Sequence, residues 1–165
     1  MTKPLAKAVT IRKANRNDAI RAFDIRRMAI LHQCKRHYPI DALESWANAE
    51  LSERFLCVVE ERFYLAIQDD QIIGTGMVDT DTGAIDAVFV DPEHIGKGTG
   101  RMIVNFLESI ARKHKLQLLK LESTLNAAPF YRACGFKGQE LSQYVTQKGT
   151  RLDCILMTKA LVSCV

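Results

Sequence analysis

The sequence lacks the features that would assign it to a membrane, secreted or repeat protein. It contains no apolar run of about 18 residues, the length that a membrane-spanning helix requires. Its first thirteen residues include no apolar segment of signal-peptide length. It also has no internal repeat, no low-complexity tract and no linker rich in proline, glycine or serine. We therefore expect one soluble, cytoplasmic domain spanning residues 1–165.

Paired cysteines are missing as well. The five cysteines are odd in number and scattered, and no two have the spacing of a CxxC motif. This pattern favours reduced thiols and argues against both a disulfide framework and a zinc site. We expect no metal. The residues concerned are Cys34, Cys57, Cys134, Cys154 and Cys164.

The composition is that of an ordinary globular domain. Of 165 residues, 47% are hydrophobic and 25% are charged, which is enough apolar material for a core. The net charge of +4 is mildly basic. Such a charge favours a polyanionic ligand without requiring nucleic acid.

Hydrophobic periodicity and turn residues predict the element order β-α-α-β-β-β-α-β-α-β-β. This order indicates an α/β (α+β) fold, a mixed sheet with helices on its faces. In the first helix, an apolar face is expected to include Ile20, Phe23, Ile30 and Leu31. The predicted strands are 9–13, 63–67, 72–78, 84–90, 116–121, 136–145 and 151–158, and the predicted helices are 18–36, a shorter one from 41, 98–114 and 127–134.

A glycine-rich loop joins the strand ending at Val90 to a strongly amphipathic helix. Gly96, Gly98 and Gly100 allow a tight turn that brings backbone N–H groups close to a ligand. The helix N-terminus adds unpaired donors and the positive end of the helix dipole. The loop therefore predicts a phosphate site, to which Lys97 and Arg101 add positive charge.

Two common phosphate motifs do not fit this loop. The P-loop pattern is absent because Gly98 follows Lys97, and the dinucleotide pattern fails because Arg101 occupies the place of its third glycine. Glu122 does lie where a ribose-binding acid would be expected. A turn that only connects strand to helix is the remaining structural alternative.

The segment Val88–Arg101 resembles the acetyl-coenzyme A motif of the GNAT superfamily of N-acetyltransferases. In that motif a Gln or Arg and two further residues precede Gly, any residue, and Gly or Ala. Gly98 and Gly100 match the glycines, whereas Ile95 replaces the usual Gln or Arg. The resemblance implies acetyl-coenzyme A as acyl donor. The cofactor-binding residues that it implies are Val88, Phe89, Val90, Ile95, Gly96, Lys97, Gly98, Thr99, Gly100, Arg101 and Asn126.

A second stretch, Leu125–Phe136, is similar to the family's Asn-Ala-x-x-Phe-Tyr-x-x-x-Gly-Phe pattern. Two motifs in the expected order extend the resemblance over Phe63–Thr158, whereas the N-terminal third matches only in layout. The resemblance implies a mixed, mostly antiparallel twisted sheet of six to seven strands, flanked by about four helices.

The resemblance also implies a mechanism. The bound amine attacks the thioester directly, while the strand Val88–Val90 pairs with the pantetheine arm and an N–H near Val90 polarises the thioester carbonyl. Tyr131 matches the family's proton donor to the leaving thiolate, with a core tyrosine as the structural alternative. Asn126 is expected to bind the cofactor, to cap the following helix, or both.

A base is useful because an alkyl amine has a pKa near 10.4 in water. Asp86 is the candidate, since it is the only charged residue in an apolar strand and many family members carry an acid on this strand. A structural partner for Asp86 is an equal alternative. His37 and a water chain are the other candidates.

The segment between the first two helices is expected to shape the acceptor pocket, with His37, Tyr38 and Trp46 as substrate-binding residues. Asp41 or Glu44 would attract an amine. Packing of Trp46 onto the sheet is the structural alternative. The preferred acceptor is a small-molecule primary amine.

Three other functions are open. In the first, the acceptor is a protein lysine or N-terminus. In the second, the chain senses acetyl-coenzyme A without catalysis. In the third, the helix Arg21–Arg36 binds nucleic acid. The basic residues of that helix spread around it, which argues against nucleic acid. An exposed edge in the final hairpin makes a homodimer a further hypothesis.

Overall fold

The computed structural model describes residue 2, residues 4–5 and residues 7–161. The predicted α/β fold class is confirmed, and the predicted strands all form, with ends that differ by a few residues. The strands are β1 Thr10–Lys13, β2 Phe63–Gln68, β3 Gln71–Val78, β4 Ile85–Val90, β5 Leu118–Thr124, β6 Lys137–Val145 and β7 Arg151–Ala160; the helices are α1 Ala19–Gln33, α2 Ile40–Ala47, α3 Glu53–Arg62, α4 Thr99–Lys113 and α5 Ala128–Ala133, with short 3₁₀ turns at Arg16–Asp18 and Pro92–His94.

The predicted element order was wrong at one point, because it omits α3. This helix begins after Ser52, whose side chain accepts a hydrogen bond from the Phe55 N–H at 3.2 Å. Serine followed by Glu53 is an ordinary helix-start signal. The sequence therefore contained the information that predicts α3.

The strands form two hydrogen-bonded sheets rather than one continuous sheet. Their orders are β1-β2-β3-β4 and β5-β7-β6, and each ladder is antiparallel. Between β4 and β5 the described residues make only one isolated parallel bridge, from Ala84 to Lys120. The two strands therefore start side by side and separate toward Val90 and Thr124, leaving a gap between the sheets.

Close packing of α4 explains the two glycines in β3. A Cβ atom at Gly76 would lie 2.5 Å from Cγ2 of Ile103, and one at Gly74 would lie 2.8 Å from its Cδ1. Ile103 and Leu107 are fully buried on this face of α4. The glycines therefore let α4, and the loop that precedes it, lie directly on the sheet.

The predicted apolar face of α1 was right at Ile30, which is buried, but wrong at Ile20. Ile20 is 65% exposed, whereas the buried positions are mainly small residues together with Ile25 and Ile30. Alanines leave room for α1 to pack against α2 and the sheet, and the hydrophobic count alone does not reveal this. The helix also ends at Gln33, three residues before the predicted end. The buried residues of α1 are Ala19, Ala22, Ile25, Ala29 and Ile30.

The four described cysteines, at positions 34, 57, 134 and 154, are free thiols. Cys164 lies outside the described residues. Among the described helices, none combines the length and apolarity needed to cross a membrane.

Candidate functional site

The gap between the sheets exposes one backbone edge of β4. The Asp91 N–H donates to the Ile73 carbonyl at 2.8 Å, so residue 91 faces β3. Neighbouring residues of a strand point their backbone groups to opposite sides, and Gly74 is the residue paired with Val90. The N–H and C=O of Val90 therefore point away from β3 and into the gap.

A β-bulge distorts the middle of β4. Thr75 pairs with Phe89 and Met77 pairs with Asp86, so Gly76 alone faces two residues of β4. One of them, Ala87, has φ 53°, which is rare for a residue with a side chain. The Ala87 carbonyl accepts a bond from Oγ1 of the buried Thr75 at 2.8 Å, and its N–H donates to Oδ1 of Asp86 at 2.7 Å. The bulge thus fixes the orientation of Asp86.

The glycine-rich loop presents open backbone at the start of α4. Gly96 and Gly98 have φ 78° and 85°, and a Cβ atom added at either would meet nothing within 4 Å. Gly98 is the N-cap of α4, and no side chain caps this helix. The first N–H groups of α4 are therefore free to bind an anion, as the sequence predicts. Ile95 and Lys97 are exposed in the same loop, whereas Thr99 is buried.

The loop meets α5 at Gly100. A Cβ atom at Gly100 would lie 3.1 Å from Cζ of Phe130 and 3.7 Å from Cγ2 of Val90. Phe130 in turn contacts Tyr131 edge-on, with ring centroids 5.0 Å apart. The structure therefore brings the end of β4, the loop and the aromatic pair of α5 together.

Tyr131 is enclosed by aromatic rings, with Phe136 at 5.8 Å on its other side. Burial raises the pKa of its hydroxyl well above the ordinary value, and the charges of Asp86 and Cys134 act in the same direction. The hydroxyl is therefore protonated at neutral pH, the state that a proton donor needs.

Asn126 does not cap α5, contrary to one of the two roles expected for it. The N-cap of α5 is Ala127, which makes no side-chain bond. Oδ1 of Asn126 is buried and accepts no hydrogen bond in the described structure. On its other side the amide faces Cys34, a thiol whose pKa burial raises to about 11. A buried acceptor without a donor is costly, so Oδ1 suits an N–H group of a ligand.

A cavity of about 920 Å³ opens from the gap between the sheets. Its walls include residues of both β4 and β5, together with α1, α2, α3, β6 and β7. Asp86 lines this cavity, and its side chain is accessible to solvent from within it. Burial among the surrounding residues raises the pKa of its carboxyl, against the opposing effects of the Ala87 N–H and of Arg26. Asp86 makes no ion pair within the described residues, and its hydrogen-bond partner is the Ala87 N–H, so the base role and the structural role both stay predictions.

The expected acceptor-pocket residues divide into two groups. Tyr38 and Trp46 line the cavity, whereas His37, Asp41 and Glu44 are exposed and do not line it. Trp46 is half-buried and its ring lies 6.2 Å from that of Tyr144.

Tyr38 also ties the N-terminal helices to the second sheet. Its hydroxyl donates to the Asp153 carbonyl and accepts from the Leu125 N–H at 3.0 Å. Burial raises the pKa of Tyr38 to about 12. Its hydroxyl therefore stays protonated, and its main role in the described structure is to hold this wall of the cavity in place.

Sequence reasoning missed the other walls of the cavity. Phe23 and Arg26 come from α1, Phe55 and Arg54 from α3, and Tyr144 from β6. Amphipathic spacing would have found α3. The remaining residues meet only through contacts between distant parts of the chain, which no local pattern records.

Comparisons with known proteins agree with this geometry. Residues 59–138 match the family model of the acetyltransferase (GNAT) domain. No curated protein gives a match in a sequence search.

Solved structures share the fold over nearly the whole chain. A GCN5-related N-acetyltransferase from Rhodopseudomonas palustris is 21% identical, covers 97% of this chain and all of its own, and has a TM-score of 0.87. The PaiA N-acetyltransferase of Thermoplasma acidophilum, solved with coenzyme A, is 18% identical, with 94% and 100% coverage and a TM-score of 0.70. The ribosomal-protein-S18-alanine N-acetyltransferase of Escherichia coli is 20% identical, with 96% and 97% coverage and a TM-score of 0.65.

The family match over residues 59–138 indicates an acyltransferase, and the solved structures share the fold of this chain. More specifically, this segment is similar to the GNAT acetyltransferase family, in agreement with the resemblance of the two motifs.

Proposed function

We propose that this chain, as one cytoplasmic domain, transfers the acetyl group of acetyl-coenzyme A directly to a primary amine of a small molecule. The observation that carries the proposal is the gap between β4 and β5. At its open end lie the free N–H groups of the glycine loop and the unpartnered Oδ1 of Asn126. From its wall the carboxyl of Asp86 faces a cavity of about 920 Å³. In this proposal, a donor site and an acceptor site would share one opening.

The donor site follows from the backbone. The N–H groups from Gly96 to Arg101 would bind the pyrophosphate, with Lys97 and Arg101 adding charge. The free edge of β4 over Val88–Val90 would pair with the amide groups of the pantetheine arm, as one more strand pairs with a sheet edge. Ile95 stands where Gln or Arg is usual, so one polar side chain is missing. The backbone N–H donors, which are the main element of the proposed site, are all retained. The coenzyme A-bound relative supports this choice of donor.

The described residues supply each step of the transfer. The Val90 N–H would stabilise the negative charge that develops on the thioester oxygen as the amine nitrogen bonds to the carbonyl carbon. Asp86 would accept the proton of the amine, directly or through water. When the carbon–sulfur bond breaks, the Tyr131 hydroxyl would give a proton to the departing thiolate. No enzyme nucleophile takes part.

The preference for a small molecule rests on the walls of the cavity. Three N-terminal helices and the β6–β7 hairpin enclose Asp86 on several sides, and aromatic rings of Phe23, Trp46 and Tyr144 line the space. A cavity of this size and lining is typical of small-ligand sites. The ribosomal-protein relative makes a protein N-terminus the acceptor to test against it.

The first experiment is calorimetric titration with acetyl-coenzyme A, with NAD and ATP as controls. We expect binding of acetyl-coenzyme A alone. Release of free thiol is then followed with a panel of small primary amines and with short peptides. Binding of NAD in preference would contradict the assignment of the loop, and turnover with peptides alone would contradict the small-molecule acceptor.

The role of Tyr131 is tested by Tyr131→Phe. Loss of the proton donor should lower kcat about 10²-fold, at the lower end of the range for such groups, with little change in acetyl-coenzyme A affinity. Tyr64→Phe is the matched control, because Tyr64 is also half-buried against an aromatic ring, that of Phe106 at 5.1 Å. An unchanged kcat in Tyr131→Phe would remove Tyr131 from the mechanism.

We also propose that the chain forms a homodimer through β6. This strand is an edge of its sheet, and Leu141 on it is 70% exposed. Unpaired strand edges with apolar side chains favour association with a second strand. Light scattering that gives the mass of a monomer would contradict this part of the proposal.

A further inference from the structure

Arg26 is a half-buried cation in the wall of the cavity and has no carboxylate partner among the described residues. It lies on α1 and its guanidinium donates to the Trp46 carbonyl at 2.9 Å and to the Ala47 carbonyl at 3.4 Å. The same group lies over two rings, 6.0 Å from the centroid of Phe23 and 5.9 Å from that of Trp46. These contacts fix its position at the cavity surface.

The contacts with α2 explain only part of this arrangement. The two carbonyls belong to the last turn of α2, where a cation is favourable for the helix dipole. They accept two of the five N–H donors of the guanidinium. The other three have no acceptor among the described residues. A side chain that only capped α2 would not need to face the cavity.

The charge of Arg26 and its partial burial also indicate that an anionic partner is missing. Burial lowers the pKa of Arg26, while Tyr144 and Asp86 act in the opposite direction. No carboxylate lies within 4 Å of it in the described structure. A buried cation is costly unless it is paired, and a guanidinium presents a fork of donors that matches a carboxylate. The empty side of Arg26 therefore suits an anionic group of a ligand.

The cavity as a whole is balanced in charge. Its described lining contains four basic residues, Arg26, Arg54, Lys120 and Lys148, and four acidic residues, Glu50, Asp86, Glu122 and Asp153. Between these groups lie the rings of Phe23, Trp46 and Tyr144. A ligand that carries both charges on an apolar body fits such a lining better than a simple cation.

We propose that the acceptor carries a carboxylate as well as its amine, and that Arg26 binds this carboxylate while Asp86 faces the amine. The substrate class is then an amino acid or a related aminocarboxylate with an apolar body, which lies against the rings of Phe23 and Trp46. This inference rests on the proposed acetyl transfer and specifies its acceptor.

The test uses pairs of amines that differ only in the carboxylate. L-Phenylalanine is compared with 2-phenylethylamine, and 6-aminohexanoate with pentylamine, so that two separations of amine and carboxylate are covered. Hydrogen bonds to a charged group contribute roughly 1.5–3 kcal/mol, or about tenfold or more in affinity. We therefore expect kcat/KM to be about tenfold or more higher for the carboxylate member of at least one pair.

The variant Arg26→Gln should remove that preference by raising KM for the carboxylate member relative to KM for the plain amine. Arg26→Lys keeps the charge and should retain part of the preference. Arg27→Gln is the matched control, because Arg27 is the next arginine of α1 but is exposed and bonds to Asn48 at 2.9 Å. It should keep the full preference.

Calorimetric titration with acetyl-coenzyme A checks that each variant has an intact donor site. Equal turnover of both members of each pair, with no effect of Arg26→Gln, would overturn the inference and leave acetyl transfer standing. If no member of either pair binds or reacts while acetyl-coenzyme A binds, the inference is also wrong. Failure of acetyl-coenzyme A to bind the wild-type chain would instead overturn the proposed function and the inference with it.

Discussion

The donor side and the acceptor side of the cavity are built in different ways. The donor side, formed by β4, the loop 95–101, α4 and α5, lies within the segment that matches the family model and relies on backbone groups. The acceptor side, formed by α1–α3 and the β6–β7 hairpin, relies on side chains that meet across long stretches of sequence. Tyr38 and Asp153, for example, are 115 positions apart. Backbone binding needs only glycines and a turn, so many different acceptor sides can accompany one donor side.

The largest expected effect is that of a substitution at Asp86, which lies where the donor side and the acceptor side meet. This substitution should change catalysis but not donor binding. Asp86→Asn removes the proposed base and should lower kcat by about 10²–10⁴-fold, the usual contribution of such a group. Affinity for acetyl-coenzyme A should change little, because the donor site uses backbone groups. Steady-state kinetics and calorimetry measure the two quantities.

The pH profile sharpens this prediction. The pKa of Asp86 is raised, mainly by burial, so wild-type activity should fall as the pH drops through a value above the ordinary 3.9 of aspartate. Asp86→Asn should lose this acidic limb. A raised pKa also means that the ionised carboxyl costs stability at neutral pH, so the variant should be at least as stable as the wild type there.

Asp81→Asn is the matched control for Asp86, since Asp81 is exposed in the turn before β4. It should leave kcat and the profile unchanged. If Asp86→Asn keeps the wild-type kcat or the acidic limb, another group is the base. The proposed link between the two sides would then be wrong.

A smaller effect tests whether the donor side depends on its backbone conformation. Gly98→Ala places a side chain at φ 85° in the open loop, and we expect acetyl-coenzyme A affinity to fall about tenfold, or roughly 1.4 kcal/mol. The same substitution at Gly149 is the control. Gly149 has φ 81° and equally open surroundings in the β6–β7 turn.

Both glycine variants should lose a similar amount of stability, about 1–2 kcal/mol from the left-handed conformation. Only Gly98→Ala should lose affinity for the donor. If both variants bind acetyl-coenzyme A as the wild type does, the loop is a connecting turn rather than a phosphate site.

The donor side is easier to predict from the sequence than the acceptor side, because its features are local in the chain. Glycines at fixed spacing, placed between an apolar strand and an amphipathic helix, are local features, and Gly96 and Gly98 have the left-handed conformation that such a turn uses. Phe63–Gln68 and the later strands were predicted to within a few residues because turn residues separate them. Such signals act over short stretches of chain.

Features that depend on distant contacts were not predictable in this way. The bulge at Ala87 requires the register of β3 against β4, and nothing in the largely apolar sequence of β4 signals it. In the sequence, Arg26 is one of several basic residues of α1. Its contacts with α2 and the cavity are visible only in the structure. His37 was expected to face the acceptor, but the chain turns after α1 and leaves it exposed. An alignment of acceptor sides by sequence would meet the same difficulty.

The last expected effect concerns the stability of the acceptor side alone and leaves catalysis unchanged. Asp18, just before α1, accepts two bonds from the Arg12 guanidinium, at 2.8 and 3.0 Å, and one from the Asn15 N–H at 2.8 Å. Asp18→Asn weakens these bonds and should lower the free energy of unfolding by about 1–2 kcal/mol, as other helix-start substitutions do. Denaturant unfolding measures this loss, and Asp24→Asn, which changes an exposed carboxyl of α1, is the control.

The pH dependence of this loss identifies its origin. The bond to Arg12 is the main cause that lowers the pKa of Asp18, with burial opposing it and the Asn15 N–H adding to it. A lowered pKa means that the carboxylate stabilises the folded state above the unfolded value near 3.9, and that this contribution disappears as the pH falls through the folded value. The difference between the wild type and Asp18→Asn should therefore be complete at pH 7 and shrink below about pH 4. Acetyl-coenzyme A affinity should stay unchanged throughout, and a matching loss of affinity would show that the two sides are coupled rather than independent.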